Sequence, residues 1–474
     1  MNQPNLEGAR TRRWNTAIGI AAIAALVCKQ ALALFTYGTN DAYRYQQFYF
    51  WSHAIGVAIY KYLWDFNHPP SMIHILAVMG WLGQTTALPF PFWLRIPGIL
   101  ADAGSVWLVW KLLGARLRSE ASRGTVSTAL ALLLLAVAPV AIMVSGFHGN
   151  TDGVLIFFVL LAVWLAEQEQ PAWLVGAAFG AALCFKVSPI VAAPAMLLYQ
   201  NGLRRRLQFL AGMVAVPLLA WQPYLLQDPA QIWKNVFGYR SLYGIWGISF
   251  LTSQTPLLAW LNTGFRALGP YLVLGACTAA AVYMNTRRNK PTLYVQVGFI
   301  FFLFLALSSG FGVQYLLWLA PWVVELGALP AAIYFAASGI FLFSVYNFWC
   351  QGLPWYVADS NRIGPWVGYM EWLQLLVWAS VLMLTWLAWH RIRLPESLPQ
   401  QVPQDPPHRA WAIFGAAALA VFLFTATQWA SLQRTGAPLH NLMGPAYVDA
   451  IQQQSQRDLA ATLAWAETHK TLSK

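Results

Sequence analysis

The stretch "SGFHGNTDGVL" (145–155) sets His148, Asn150 and Asp152 between two long apolar runs. An imidazole, an amide and a carboxylate in five residues can hold or move a proton and bind a polar ligand. Lipid tails solvate none of them, so they must face protein or water. Other polar groups stand at comparable places. Asn40 and Asp41 follow the first apolar run, in "YGTNDAYRYQQFYFWSHAIGVAIY". His68 opens "HPP" (68–70), and Lys186 lies in "LCFKVSPIVAAPAMLLYQ". Tyr239 and Arg240 lie in "NVFGYRSLYGIWGIS", and Gln314 and Tyr315 open "VQYLLWLAPW".

Most of these have more than one reading. Asp41 is either the N-cap of a helix beginning "NDAYRYQQF" or a carboxylate facing an interfacial cleft as base or ligand. Asp152 is a rival base, an orienting partner for His148, or a cap for the helix "GVLIFF". Lys186 either snorkels to the interface or meets a phosphate, helped by backbone groups that the following prolines free. Arg240 is either an exposed loop residue or a phosphate or sugar ligand among aromatic rings. Gln314 and Tyr315 are ligand-binding or ordinary interfacial groups. Asp102 lies deep in "GILADAGSVW", where a charge costs about 2.5–3.5 kcal/mol on insertion scales. It needs a partner, and Lys29 in the first apolar run is the one expected.

The chain that must position these groups has 474 residues, 58% hydrophobic and only 10% charged. Soluble domains carry about 25% charged residues, so this is a membrane protein. The 25 Trp and 19 Tyr suit aromatic belts at the two interfaces. The net charge of +12 comes from short basic loops between apolar runs, the signature of membrane orientation rather than of a nucleic-acid partner. Cys28, Cys184, Cys277 and Cys350 form no close pair and read as small core residues, not as a disulfide or zinc framework. Arg10, Arg12 and Arg13 precede an apolar run with no clean cleavage site, which reads as an uncleaved first span.

Apolar runs lie near 15–36, 71–86, 92–113, 126–145, 153–166, 171–186, 188–200, 207–226, 267–285, 292–309, 311–328, 329–348, 369–390 and 411–430. If 71–86 spanned, the basic clusters 116–123, 204–206, 286–290 and 391–393 would face away from the N-terminal arginines. If it dips in and returns, all of them share the cytoplasmic side, as the positive-inside rule demands. The expected fold is therefore an all-α polytopic membrane protein with about 13 transmembrane helices, one re-entrant segment and amphipathic helices on the outer face. Residues 1–430 form the transmembrane domain. The tail 431–474 contributes an amphipathic helix that is solvated or caps the cleft. The long loops then lie outside, and so does the chemistry. No repeat relates the two halves, which disfavours an inverted-repeat transporter.

The order of these pieces resembles the C-type membrane glycosyltransferases that use polyprenyl-phosphate sugars. It is most similar to the family 87 mannosyltransferases of bacteria and the catalytic subunit of GPI mannosyltransferase I. The likeness covers roughly residues 15–325 and rests on Asp41, "HPPSMIHIL", "RIPGILADAGSVWLVWKLL", "HGNTDGVL", "FKVSPIVAAPAMLLY" and "VQYLLWLAPW". His148 stands where an arginine is common in that family. "ND" replaces an acid pair spaced by one residue, which puts a metal role in doubt; no cofactor is expected, and a divalent metal is left unsupported. The resemblance implies transfer of a sugar, mannose by preference, from a polyprenyl phosphate to a lipid-linked or glycan acceptor, with inversion. It also implies an active site facing the exterior or periplasm of a bacterial inner membrane. Asp41 is then the base, and Asn40, His68, His148, Asn150, Asp152, Lys186, Tyr239, Arg240, Gln314 and Tyr315 contact substrate. A transporter or flippase of a lipid-linked sugar is the rival class, and membrane lipids are partners in either.

Overall fold

The computed structural model describes residues 4–63, 65–118, 123–239, 241–393 and 444–468. The chain is an all-α polytopic membrane protein. Among these residues, seven helices are long and apolar enough to cross a bilayer: Arg13–Phe35, Phe90–Gly114, Val126–His148, Leu203–Gln227, Pro256–Thr286, Ala328–Trp349 and Tyr369–Arg393. Four shorter apolar helices, Ala172–Phe185, Ser188–Tyr199, Leu293–Leu307 and Val313–Leu326, occupy further expected runs. The helix Asp152–Glu167 occupies another. The run expected at 411–430 lies outside the described residues.

The basic clusters gather at one end of this bundle. Trp110 donates to Asn15 (3.0 Å), and Trp14 packs on Leu130 and Ala328. The Ala328 amide donates to Ser127, while Arg391 donates to the carbonyls of Glu325 and Leu326. Arg205 reaches the carbonyl of Gln170, and Glu167 accepts from the Tyr294 amide.

Residues 36–90 stay at the opposite end. The first span finishes beside Arg95, whose buried guanidinium donates to the carbonyls of Ala33 (3.0 Å), Thr36 (2.5 Å) and Gly146 (3.2 Å). The helix Ser71–Thr85 starts with the Ser71 hydroxyl on the Cys184 carbonyl (2.6 Å). It finishes against Phe90, which stacks on Tyr49 (6.1 Å). Both ends of this helix are thus held by residues of the end opposite the basic loops. The second crossing begins only at Phe90.

Two cores follow from this. The large one lies among the spanning helices. The smaller, rich in Tyr and Phe, joins the helix Asn40–Ile55 to Phe66, Leu76, Tyr224, Val236 and Val357 at the end opposite the basic loops. Inside the span, the expected pair forms: Lys29 Nζ lies 2.6 Å from Asp102, and both side chains are nearly fully buried. Two-residue strand pairs stitch the outer loops together. Gly38–Thr39 pairs in parallel with Val357–Ala358, and Leu242–Tyr243 pairs antiparallel with Gly310–Phe311.

One helix pair packs unusually closely. Gly176 and Gly180 of Ala172–Phe185 lie on the backbone of Phe209 and Met213, and Gly212 lies on the Trp173 carbonyl, with no room for a Cβ at any of them. Small residues that admit backbone contact are the expected glue where lipid gives no hydrophobic drive. This rigid pair fixes the end of the helix, where the chain turns extended at Lys186 ahead of Pro189.

Candidate active site

Asp41 sits in the first turn of Asn40–Ile55, but it is not the N-cap. Thr39 takes that place, its hydroxyl accepting from the Asp41 amide (3.3 Å) and donating to the His148 carbonyl (2.7 Å). The Asp41 side chain is thus free for other partners. Its Oδ2 accepts from His148 Nε2 (3.0 Å) and Asn150 Nδ2 (2.8 Å), while Oδ1 has no partner among the described residues. A carboxylate only accepts, so His148 carries its proton on Nε2. Its Nδ1 lies within hydrogen-bond reach of the buried Tyr346 hydroxyl, at 2.7 Å.

The backbone that delivers His148 and Asn150 is a helix break inside the apolar run. A wide π turn, Ile142–His148, ends at Gly149, which adopts φ +79°. Glycine is required by that left-handed conformation, and a Cβ would also press on Ala42 at 3.3 Å. The next helix begins at Asp152.

Asp152 has neither of the two supporting roles expected for it. It neither touches His148 nor caps its helix. It is fully buried, accepts Lys186 Nζ on both oxygens (2.9 and 2.8 Å) and takes a hydrogen bond from Trp318 Nε1 (2.6 Å). Lys186 also lies over the rings of Tyr315 (5.3 Å) and Trp318 (5.9 Å). Two ammonium hydrogens meet Asp152, and the third remains for a ligand.

These groups border a cavity of 340 Å³ at the end of the bundle opposite the basic loops. Asn40, Asp41, His68 and Asn150 line it from one side, and Lys186, Tyr239, Gln314 and Tyr315 from the other. His148 and Asp152 stand directly behind as supports. Arg240 lies outside the described residues, between Tyr239 and Ser241, both of which line the cavity. The sequence reading missed Arg44, Asp65, Asn67, Ser188, Ser241 and Asn361, which also line it. Arg44 and Phe48 share a helix face with Asp41 at spacings of three and seven, a signal that was available. Asn361 gave none. It arrives because Ser360 binds Asn40 Oδ1 (3.0 Å) from 320 residues away.

Electrostatics sort the groups. Burial raises the Asp41 carboxyl, but the hydrogen bond and charge of His148, with Lys186 and His68, outweigh it and hold Asp41 below the usual carboxylate range. Burial, reinforced by the Lys186 ammonium, pushes His68 down to about 3, so this imidazole is neutral at physiological pH. Among the described residues no group of three His, Cys, Asp or Glu side chains is placed to hold a metal ion.

The tail helix Pro445–Thr468 is docked, not free in solvent. Gln452 donates to Gln46 (3.0 Å), Gln47 pairs with Ser455, and Tyr447 donates to Asp359, whose carboxylate caps the turn carrying Asn361.

A polar cavity at one end of a polytopic bundle defines a membrane protein with a site at its surface. Residues 67–225, about a third of the chain, match the model of the dolichyl-phosphate-mannose-protein mannosyltransferase family, a family of C-type membrane glycosyltransferases. The matched segment includes His68, His148, Asn150, Asp152 and Lys186 and stops short of Tyr239. No curated protein matches the chain.

Proposed function

We propose that the protein is a membrane glycosyltransferase that moves a sugar, mannose by preference, from a polyprenyl phosphate to a lipid-linked or glycan acceptor. The observation that carries this reading is the cavity shared by an Asp41 oxygen without a partner among the described residues and the Lys186 ammonium. The family match of the segment holding His68, His148 and Lys186 supports it. In the reaction, the acceptor hydroxyl loses its proton to Asp41 Oδ1 as its oxygen bonds the anomeric carbon. The bond from that carbon to the phosphate oxygen breaks, and the lipid phosphate leaves with the electron pair beside Lys186. A phosphate is a weak base and needs a cation rather than a proton. One carboxylate therefore suffices, unlike in glycosidases, whose leaving group is an alcohol. Attack opposite the phosphate inverts the anomeric centre. Neutral His68, Asn40 and Gln314 are suited to sugar hydroxyls, which need donors and acceptors without charge.

The rival reading, a flippase, needs polar groups along a route through the membrane. The buried pair of Lys29 and Asp102 inside the spans is closed on itself at 2.6 Å. Purified protein is incubated with radiolabelled polyprenyl-phosphate mannose, its glucose counterpart and a panel of lipid acceptors. Label is expected in an acceptor, from the mannose donor first. Donor that changes leaflet chemically intact, with no labelled product, would establish the flippase instead.

A further inference from the structure

A second cavity, of 50 Å³, lies at the basic end of the bundle, remote from Asp41. Apolar Val295, Phe302, Leu326 and Ile392 line it together with polar Arg287, Asn289, Glu325 and Arg391. Two buried donors in its wall have no partner among the described residues. Trp322, only 1% exposed, stacks on Phe301 and meets Tyr294 at a tilt but leaves Nε1 unbonded. Arg287 gives Nη1 to the Tyr283 hydroxyl (2.8 Å) and leaves Nε unbonded. Buried N–H groups without acceptors are costly and rare. The charge around the cavity is one-sided: Arg287, Arg288, Lys290, Arg391 and Arg393 stand against Glu325, which already has Arg391 at 4.0 Å. The volume holds about four water-sized centres, the scale of one phosphate group.

We propose that this cavity binds the phosphate group of an anion at the basic face of the membrane, with Trp322 Nε1 and Arg287 as its donors. The position, between helix ends at the basic end of the bundle, makes the headgroup of an anionic phospholipid the matching source. A free phosphate has the same chemistry and is distinguished by experiment.

The full-length protein is stripped of lipid in detergent and titrated with dioleoyl phosphatidylglycerol or dioleoyl phosphatidylcholine, with occupancy read by native mass spectrometry. The anionic lipid should bind at least about fivefold more tightly. Arg287→Gln and Trp322→Phe should each remove most of that preference, while the melting temperature of the lipid-free protein reports whether the fold survives. In a parallel arm, inorganic phosphate is added to the phosphatidylglycerol complex. Displacement of the lipid, lost in Arg287→Gln, places the phosphate group itself in the cavity and admits a soluble source. Retention of the lipid assigns the headgroup as the source. Equal binding of the two lipids overturns the proposal, as does a preference unchanged in both variants.

Discussion

At the residue scale, one carboxylate is tuned by opposing effects. Burial is the largest influence on Asp41 and favours its neutral form, yet hydrogen bonding and charge from His148 reverse the outcome. The ionised base is therefore present at neutral pH and lost only as pH falls through a value below the ordinary carboxylate range. His148→Phe keeps a ring in place and removes the donor. Burial then acts with less opposition, so the acid limb of kcat/KM should move to higher pH, and a pH–rate profile reads it directly. An unmoved limb would detach His148 from Asp41 in solution. The sequence displayed the parts of this site as polar groups stranded between apolar runs, because lipid makes such groups conspicuous. It also paired Lys29 with Asp102. It did not reveal that Asp152 holds Lys186, nor that Tyr346 holds His148, because pairing across 34 and 198 residues leaves no local pattern.

At the element scale, the site depends on where helices stop. The helix Ala172–Phe185 presents Lys186 at its end, and its height is set by backbone contact at Gly176, Gly180 and Gly212. Gly212→Val places a branched side chain against the Trp173 carbonyl. Overpacking of this kind costs about 1–3 kcal/mol. A lower melting temperature in detergent is expected, together with weaker donor binding, because Lys186 is displaced. Retention of wild-type melting temperature would mean that the two helices do not approach as closely as described. Helix identity was legible in the length of the apolar runs, and nearly every expected run among the described residues is a helix. The π turn that ends at Gly149 and the docking of Pro445–Thr468 were not. The first is a local widening imposed by packing, and the second rests on amide and hydroxyl contacts that a polar helix shows equally when solvated.

At the scale of the whole molecule, the polar cavity and the basic loops occupy opposite ends, and the segment 36–90 begins and finishes at the cavity end. If the basic end is cytoplasmic, cysteines introduced at 205, 288 and 391 should resist a membrane-impermeant reagent applied to intact cells. One introduced at 361 should react. The reverse pattern would invert the molecule and place the chemistry inside. The central claim is that Asp41 is the base, and one comparison tests it most directly: single-turnover sugar transfer by donor-loaded wild type and Asp41→Asn. Asparagine keeps the shape and can still accept from His148 and Asn150, but it cannot take a proton from the acceptor. A general base contributes about 10²–10⁴-fold, so transfer should slow by that order while donor affinity stays unchanged. Transfer by Asp41→Asn within about threefold of wild type, well short of what a general base supplies, would contradict the account.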